Sequence, residues 1–499
     1  MNKYMKYIRL FTTGMVLIQA LSCSDFLDKN PLDQITGQTF WKSEAEASMA
    51  LTGVYSRLLA YPFNHKDADF DIMGGDVSGN QGVSVIALAQ GMILPTSGGL
   101  ISSIYNNCYA GIGSCNFFLD NVERTPLNEA TLNRYKGEVC FLRAMFYYML
   151  AEHYGGVPLY TTSVTIDEAK VKQSTKDEVM QQIYTDLDFA ITHLPDGPYS
   201  DGHAVKGSAQ ALKARVLLHD RQWQEAAELT DRIIQGGKFN LFDNYRTLFL
   251  ASGQTNNPEI MFSARYLSPD IQTDLDVRWA WHAMVNPRQE LVDAYECIDG
   301  LPITASPLYD PSNWRLNRDP RLLLTIKGFD DTAVNSAGQE VSFSYNAVSG
   351  TGYEPVKYCN WDALPIDYST ISEQDWILIR YADVLLMYAE ARNEANGPDA
   401  DVYSAVNRVR ARVDMPPLPE GLTQDELRER IRNERRVEFA LEGLRWSDIL
   451  RWKTAEQIIP TLVDPGGVRR AFDPGKHYLL PFPQSEIDVN ENLDQNPGY

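Results

Sequence analysis

Apolar residues recur at helical spacing over most of the chain, in segments separated by two long stretches where that period is lost. The first helix is predicted to begin at Ser43-Glu44, with Ala47, Ala50, Leu51, Val54, Tyr55 and Leu58 on one face. The period returns over 101–123 and over 130–154, where Tyr135, Val139, Leu142, Phe146, Leu150 and Tyr154 form a stripe that Gly155-Gly156-Val157-Pro158 ends. An amphipathic helix is predicted over 175–194, then helices over 207–219 and 222–235 joined by a tight turn at Asp220-Arg221. Downstream, 380–396 and 402–413 flank a break at Gly397-Pro398, and 424–442 is a further helix. Residues 60–100 gather Gly74, Gly75, Gly79, Gly82, Gly98 and Gly99 and read as an irregular loop region. Residues 240–375 set Trp279, Trp281, Trp314, Tyr345, Tyr353, Tyr358, Trp361 and Tyr368 amid Gly, Pro, Ser and Asn, with short strand-like runs at 277–283 and 340–345. The fold class this predicts is mainly α, a helical scaffold with a loop-rich region. Long structured loops in compact domains usually carry function.

Ala209, Ala211 and Ala214 face Ala226 and Ala227 across the Asp220-Arg221 turn, which permits a close helical hairpin and resembles a tetratricopeptide unit. The pair 380–396 and 402–413, with Ala389 and Ala391, is a second, and 130–154 and 424–442 are compatible with further units, so the pairs must pack across the 240–375 excursion.

At the N-terminus, Lys3, Lys6 and Arg9 precede an apolar stretch from Leu10 to Leu21 that is too short to span a bilayer and reads as a signal peptide, residues 1–22. Ala20-Leu21-Ser22-Cys23 resembles a bacterial lipobox, in which the Cys23 thiol is acylated and becomes the new N-terminus; the mature chain is then anchored to a membrane without crossing it. With 44% hydrophobic residues the 499-residue chain can bury a sizeable core. Its formal charge of −21 argues against nucleic acid, whose phosphates require clustered Lys and Arg. Cys108, Cys115, Cys140, Cys297 and Cys359 read as buried thiols, with Cys297 and Cys359 the pair to check for a disulfide.

The run IRNERRVEFALEGLRWSDILRW over 431–452 and the chain end HYLLPFPQSEIDVNENLDQNPGY over 477–499 resemble signatures of the SusD/RagB family of Bacteroidetes surface lipoproteins. So do WILIRYADVLLMYAEARNEANG from Trp376, GEVCFLRAMFYYMLAEHYGGVPL from Gly137, ALKARVLLHDRQWQEA from Ala211, LVDAYECIDG from Leu291 and NRDPRLLLTI from Asn317. The resemblance implies a SusD-like helical scaffold with four tetratricopeptide-like pairs. It divides the chain into an N-terminal part, 23–235, with a ligand-facing loop at 60–100, and a C-terminal part, 240–499. It also implies a non-enzymatic, lipid-anchored protein of the outer membrane, facing outward, that captures glycans, or in some members peptides, and loads a SusC-like TonB-dependent transporter. Asp25 and Asp28 resemble the acidic signal that sends such lipoproteins to the cell surface. The charged residues Arg435, Arg436, Glu438, Glu442, Arg445, Asp448 and Arg451 read as an ion-paired helix packed on the core by Phe439, Trp446 and Trp452.

No HExxH, phosphate loop, dinucleotide fingerprint or nucleophile elbow occurs, and the seven histidines are scattered. A secreted glycosidase, which needs two carboxylates about 5 to 10 Å apart, stays an alternative only through the abundance of acids. Asp67, Asp69 and Asp71 alternate like the start of a calcium loop, but Ile72 and Ser78 occupy positions where the turn glycine and the bidentate glutamate belong; a looser calcium site with Asp76 stays open. Trp279 and Trp281, two apart, would project to one face of an extended segment and offer coplanar indoles to the CH faces of sugars. Trp314, in a turn after Pro311-Ser312-Asn313, is expected to be exposed. From the family's habit of building the site from both loop regions, Phe63, Phe70, Asp71 and Asn80 are expected near Trp279, Trp281 and Trp314.

Overall fold

A computed structural model describes residues 40–79, 85–329, 331–342 and 349–499. The signal segment, Cys23, Asp25, Asp28, Asn80 and Tyr345, as well as the Asp67 side chain, lie outside the described set. Among the described residues, ten helices of seven residues or more make the scaffold: α1 (Glu44–Tyr55), α2 (Gly99–Asn121), α3 (Glu129–Tyr154), α4 (Lys176–His193), α5 (Lys206–His219), α6 (Trp223–Gly236), α7 (Tyr381–Asn396), α8 (Ala400–Ala411), α9 (Gln424–Glu438) and α10 (Arg445–Arg451). Capping boxes start α1 at Ser43 with Glu46, α4 at Thr175 with Glu178 and α9 at Thr423 with Glu426, each satisfying backbone donors that the first turn leaves open.

Each helix packs on its successor from α2 through α6, and α6 then meets α7 across the excursion, with Ala226 and Ala389 both fully buried. The second hairpin, α7 with α8, is completed by α9 against α7. Helices α2 and α3 come close enough that a Cβ on Gly111 would lie 2.6 Å from the Phe146 ring.

Eight short strands make four two-stranded antiparallel ladders: β1 (Val77–Gly79) with β3 (Val285–Pro287), β2 (Ile260–Ala264) with β8 (Trp376–Arg380), β4 (Ile326–Gly328) with β7 (Tyr353–Pro355), and β5 (Ala333–Val334) with β6 (Glu340–Val341).

Three expectations need correction, and the reading of the cysteines as buried thiols does not. Residues 60–100 are not wholly irregular, since short helices at Asp69–Gly74 and Val85–Ala89 interrupt them. Residues 277–283 are not a strand: Val277–Trp281 is a π-helical turn closed by the His282 amide on the Val277 carbonyl at 2.9 Å. The charged C-terminal helix is two, because Leu441 at φ 66° and Gly443 at φ 76° turn left-handed between α9 and α10. Cys297 and Cys359 are free buried thiols, as are Cys108, Cys115 and Cys140.

The charges of α9 and α10 do form a buried lattice. Glu438, fully buried, accepts from Arg321 at 2.9 Å, Arg380 at 2.6 Å and Arg412 at 2.6 Å. Glu442 accepts from Lys357 at 2.6 Å and Arg380 at 2.7 Å, while Arg435 reaches Asp383 at 2.7 Å. Burial works to raise the Glu438 pKa, and Arg412, Arg380 and Arg321 more than reverse it, holding the carboxyl well below the usual range. Burial brings the Lys357 ammonium down to about 8.

Candidate functional site

The two loop-rich regions meet where β1 pairs with β3. Gly79 stands opposite Val285, four residues along the chain from Trp281, so the end of β1 lies next to the strand that follows the Trp281 turn. The Arg278 guanidinium lies 3.3 Å from Asp69, clipping that turn to the early region. A third segment joins them: fully buried Asp276 accepts from the Asn360 amide at 2.6 Å, the Ser372 hydroxyl at 2.7 Å and the Gln374 amide at 3.0 Å, and the Thr273 amide donates to the Ser372 carbonyl at 2.9 Å. These bonds hold the 366–374 loop, and Tyr368 with it, against the Trp281 turn.

Three rings converge there. Trp281 is half-buried and meets Tyr368 edge to face, with centroids 4.6 Å apart and planes at 89°. His282 lies 4.8 Å from Trp281 and 5.5 Å from Tyr368. Tyr368 is 77% exposed, and Leu267, Ile271 and Ile371 are also exposed on the adjoining strands of loop. The segment that leads into the Trp281 turn carries polar groups. His65 Nε2 is 2.6 Å from Asp274 Oδ1 and its Nδ1 is 2.8 Å from the Thr273 hydroxyl. Burial lowers the His65 pKa, so its imidazole is neutral near pH 7. Perpendicular rings beside exposed carboxyl and hydroxyl groups give a notch that can stack one apolar face of a ring-shaped ligand and hydrogen-bond its rim.

Of the residues expected here, Trp281 is at this notch. Trp279 is not: it is fully buried, edge to face with Trp376 at 5.9 Å and Tyr358 at 6.1 Å. In a helical turn residues two apart point roughly 160 to 200° away from each other, so the pair cannot share a face as it would in a strand. Trp314 is half-buried at the edge of a second apolar cluster, with Tyr353 at 5.2 Å and the Arg315 guanidinium at 5.6 Å.

Phe63 and Phe70 are 2% exposed and packed on Phe146 and His153, lining an internal cavity of about 70 Å³. Asp71, 1% exposed, accepts from the Gly443 amide at 2.9 Å and the Arg445 amide at 3.4 Å. Burial pushes its carboxyl up to about 8, against the pull of those donors. Of the acids in the calcium reading, Asp69 pairs with Arg278, Asp71 with backbone amides and Asp76 with Arg436, and no acidic cluster suited to a metal occurs among the described residues. Tyr368 and Asp276, which complete and support the notch, were not singled out from sequence. Tyr368 offers only its place in a polar loop as a signal, and the partners of Asp276 are far apart in the chain.

A sequence profile described as "SusD family" matches residues 255–499, and one described as "Starch-binding associating with outer membrane" matches residues 25–218. A protein from Formosa agariphila described as SusD-like protein P2 is 28% identical over 97% of this chain and 98% of its own. A solved SusD-like carbohydrate-binding protein from Bacteroides fragilis superposes with a TM-score of 0.82 at 29% identity, covering 91% of this chain and all of its own. A laminarin-binding SusD-like protein superposes with a TM-score of 0.71 at 27% identity, covering 92% of this chain and all of its own.

Proposed function

The chain belongs to the SusD/RagB family, and on that premise we propose that it captures glycans at the Trp281–Tyr368 notch on the bacterial surface and hands them to a SusC-like TonB-dependent transporter for import. The mutually perpendicular rings of half-buried Trp281 and exposed Tyr368 carry the reading, since an aromatic notch with flanking polar groups suits the alternating CH and hydroxyl faces of sugars. The names of relatives support neutral glucans as first candidates: one binds laminarin and another, the Bacteroides thetaiotaomicron SusD, 24% identical over 77% of this chain and 76% of its own, binds starch. Capture without chemistry is part of the proposal. Calorimetric titration with laminari- and malto-oligosaccharides, alongside a peptide panel, tests it: saturable glycan binding that weakens in Trp281→Ala and Tyr368→Ala, with no product released, is the expected result. Peptide binding at the same residues, or hydrolysis of a bound glycan, overturns it.

The anchor rests on Cys23, which lies outside the described residues; a diacylglyceryl thioether with an N-acyl chain exceeds the two signals that stable membrane association requires. Cys23→Ala should release the protein from membranes. A cleaved Cys23→Ala chain that still fractionates with them refutes the lipid anchor.

A further inference from the structure

A cavity of about 630 Å³ opens between the C-terminal end of α3, the start of α4, the α5–α6 turn, the end of α10 and residues 478 and 479, and it shares no lining residue with the Trp281 notch. Four basic side chains line it, Lys176, Arg221, Arg451 and Lys453, with two acidic ones, Glu152 and Asp220. Three of the six are engaged elsewhere. Arg451 holds Glu390 at 2.8 Å and Asp448 at 2.7 Å, Glu152 lies 3.3 Å from His219 Nδ1, and Asp220 accepts from the Tyr184 hydroxyl at 3.3 Å. Lys176, Arg221 and Lys453 are left without a carboxylate among the described residues: Arg221 donates only to the Arg451 carbonyl at 3.2 Å, and the Lys453 ammonium sits 3.6 Å over the Tyr478 ring. In a chain of net charge −21, unpaired cations gathered in one hollow are unexpected.

Their backbone positions make the choice of residue more informative. Arg221 at φ 58° and Lys453 at φ 59° both occupy the left-handed position after a helix, where glycine is the usual residue and a side chain is strained. The carboxyl ends of α5 and α10 favour a cation and offset part of that strain. Lys176 has no such offset, since it is the first residue of α4, at the positive end of the helix dipole. Strain held in place by surrounding structure clusters at ligand sites. The Tyr478 side chain also lines the cavity, and its hydroxyl is buried without a hydrogen-bond partner. Burial, then Arg221 and Lys176, lower the Lys453 pKa, as expected of cations facing one space that an anion would relieve.

We propose that this cavity is a second ligand site, which takes the acidic group of a sugar, a uronate carboxylate or a sulfate ester, between Lys176, Arg221 and Lys453, with the Tyr478 hydroxyl as a further hydrogen-bonding group. The charge selectivity stands on the cavity alone, whereas the word sugar rests on the proposed function. A volume of about 630 Å³ lies in the range of small-molecule pockets and accommodates a mono- or disaccharide unit.

The test is calorimetry of the whole protein with digalacturonate, neutral galactobiose and sulfate ion, at low and high salt, for the unmodified chain, the double variant Arg221→Gly with Lys453→Gly, and Trp281→Ala. Digalacturonate should bind where galactobiose does not, more weakly in salt, and the double variant should lose about tenfold or more in affinity. Because glycine relieves both left-handed positions, that variant should melt no lower than the unmodified chain, which separates lost binding from lost fold. Unchanged digalacturonate affinity in the double variant, absence of binding by both digalacturonate and sulfate ion, or galactobiose binding as tight as that of digalacturonate overturns the proposal. Loss of digalacturonate binding in Trp281→Ala alone would move the acidic sugar to the notch. Glucan binding at the notch should persist in the double variant, so the failure of either reading is visible without the other.

Discussion

Trp279 and Trp281 are two positions apart and do opposite jobs. Trp279 is fully buried against Trp376 and Tyr358, so Trp279→Ala should cost about 3 to 5 kcal/mol of stability through the cavity it leaves. Trp281→Ala should instead lower glycan affinity by about 2 kcal/mol and leave the melting temperature nearly unchanged, because a few aromatic anchors dominate most binding surfaces. Thermal melts and titrations on the same two variants check both statements; a large drop in melting temperature for Trp281→Ala would return that ring to the core. The composition of 240–375 pointed to a loop region rich in aromatics, yet which ring faces outward depends on one local detail, the π turn over Val277–Trp281. Periodicity could not supply that detail, since alternation over 277–283 reads equally as strand.

At the scale of elements, the notch depends on a clip between segments. Asp276→Ala removes the acceptor for the Asn360 amide, the Ser372 hydroxyl and the Gln374 side chain, leaving buried donors unpaired at about 1 to 3 kcal/mol. It should lower both melting temperature and glycan affinity, the latter by loosening the loop that carries Tyr368; unchanged affinity would make Asp276 a core residue with no part in the site. The helices pose a simpler problem. Ala389 on α7, a helix packed on α6 and α8, has no exposed surface, so Ala389→Leu should force a backbone shift costing about 1 to 3 kcal/mol while leaving glycan affinity intact. A melting curve that does not move would show that α7 has room against its neighbours. These helices were legible because caps, stripes and alanines are local signals, within one or two turns of each other. The 366–374 loop was not, since its position is set by Asp276, roughly a hundred residues away in the chain.

For the whole molecule, the buried charge lattice sets the response to pH. Burial raises and neighbouring arginines more than lower the pKa values of Glu438, Asp383, Glu390 and Asp448, so each contributes stability that is complete above the unfolded carboxylate range near pH 4 and is lost as pH falls through the folded values. Asp71 acts with the opposite sign: pushed up to about 8 by burial, it contributes stability below about pH 4 that is lost as pH rises toward 8. The melting temperature should therefore fall steeply below pH 4, and Asp71→Asn should raise the melting temperature at pH 8 relative to pH 5, compared with the unmodified chain, without touching the acid limb. Melting that holds level down to pH 2 would mean the lattice is not ionised as drawn. The sequence by itself determined the helical scaffold, the order of its hairpins, the family and the two regions that meet at the site, because these follow from spacing and composition within short windows. Only the tertiary structure decided which aromatics are core and which reach the surface, that Phe63, Phe70 and Asp71 are interior, and how Arg321, Arg380 and Arg412 gather on Glu438. Those outcomes turn on contacts between residues 26 to 370 or more apart, where burial and charge pairing outweigh any local preference.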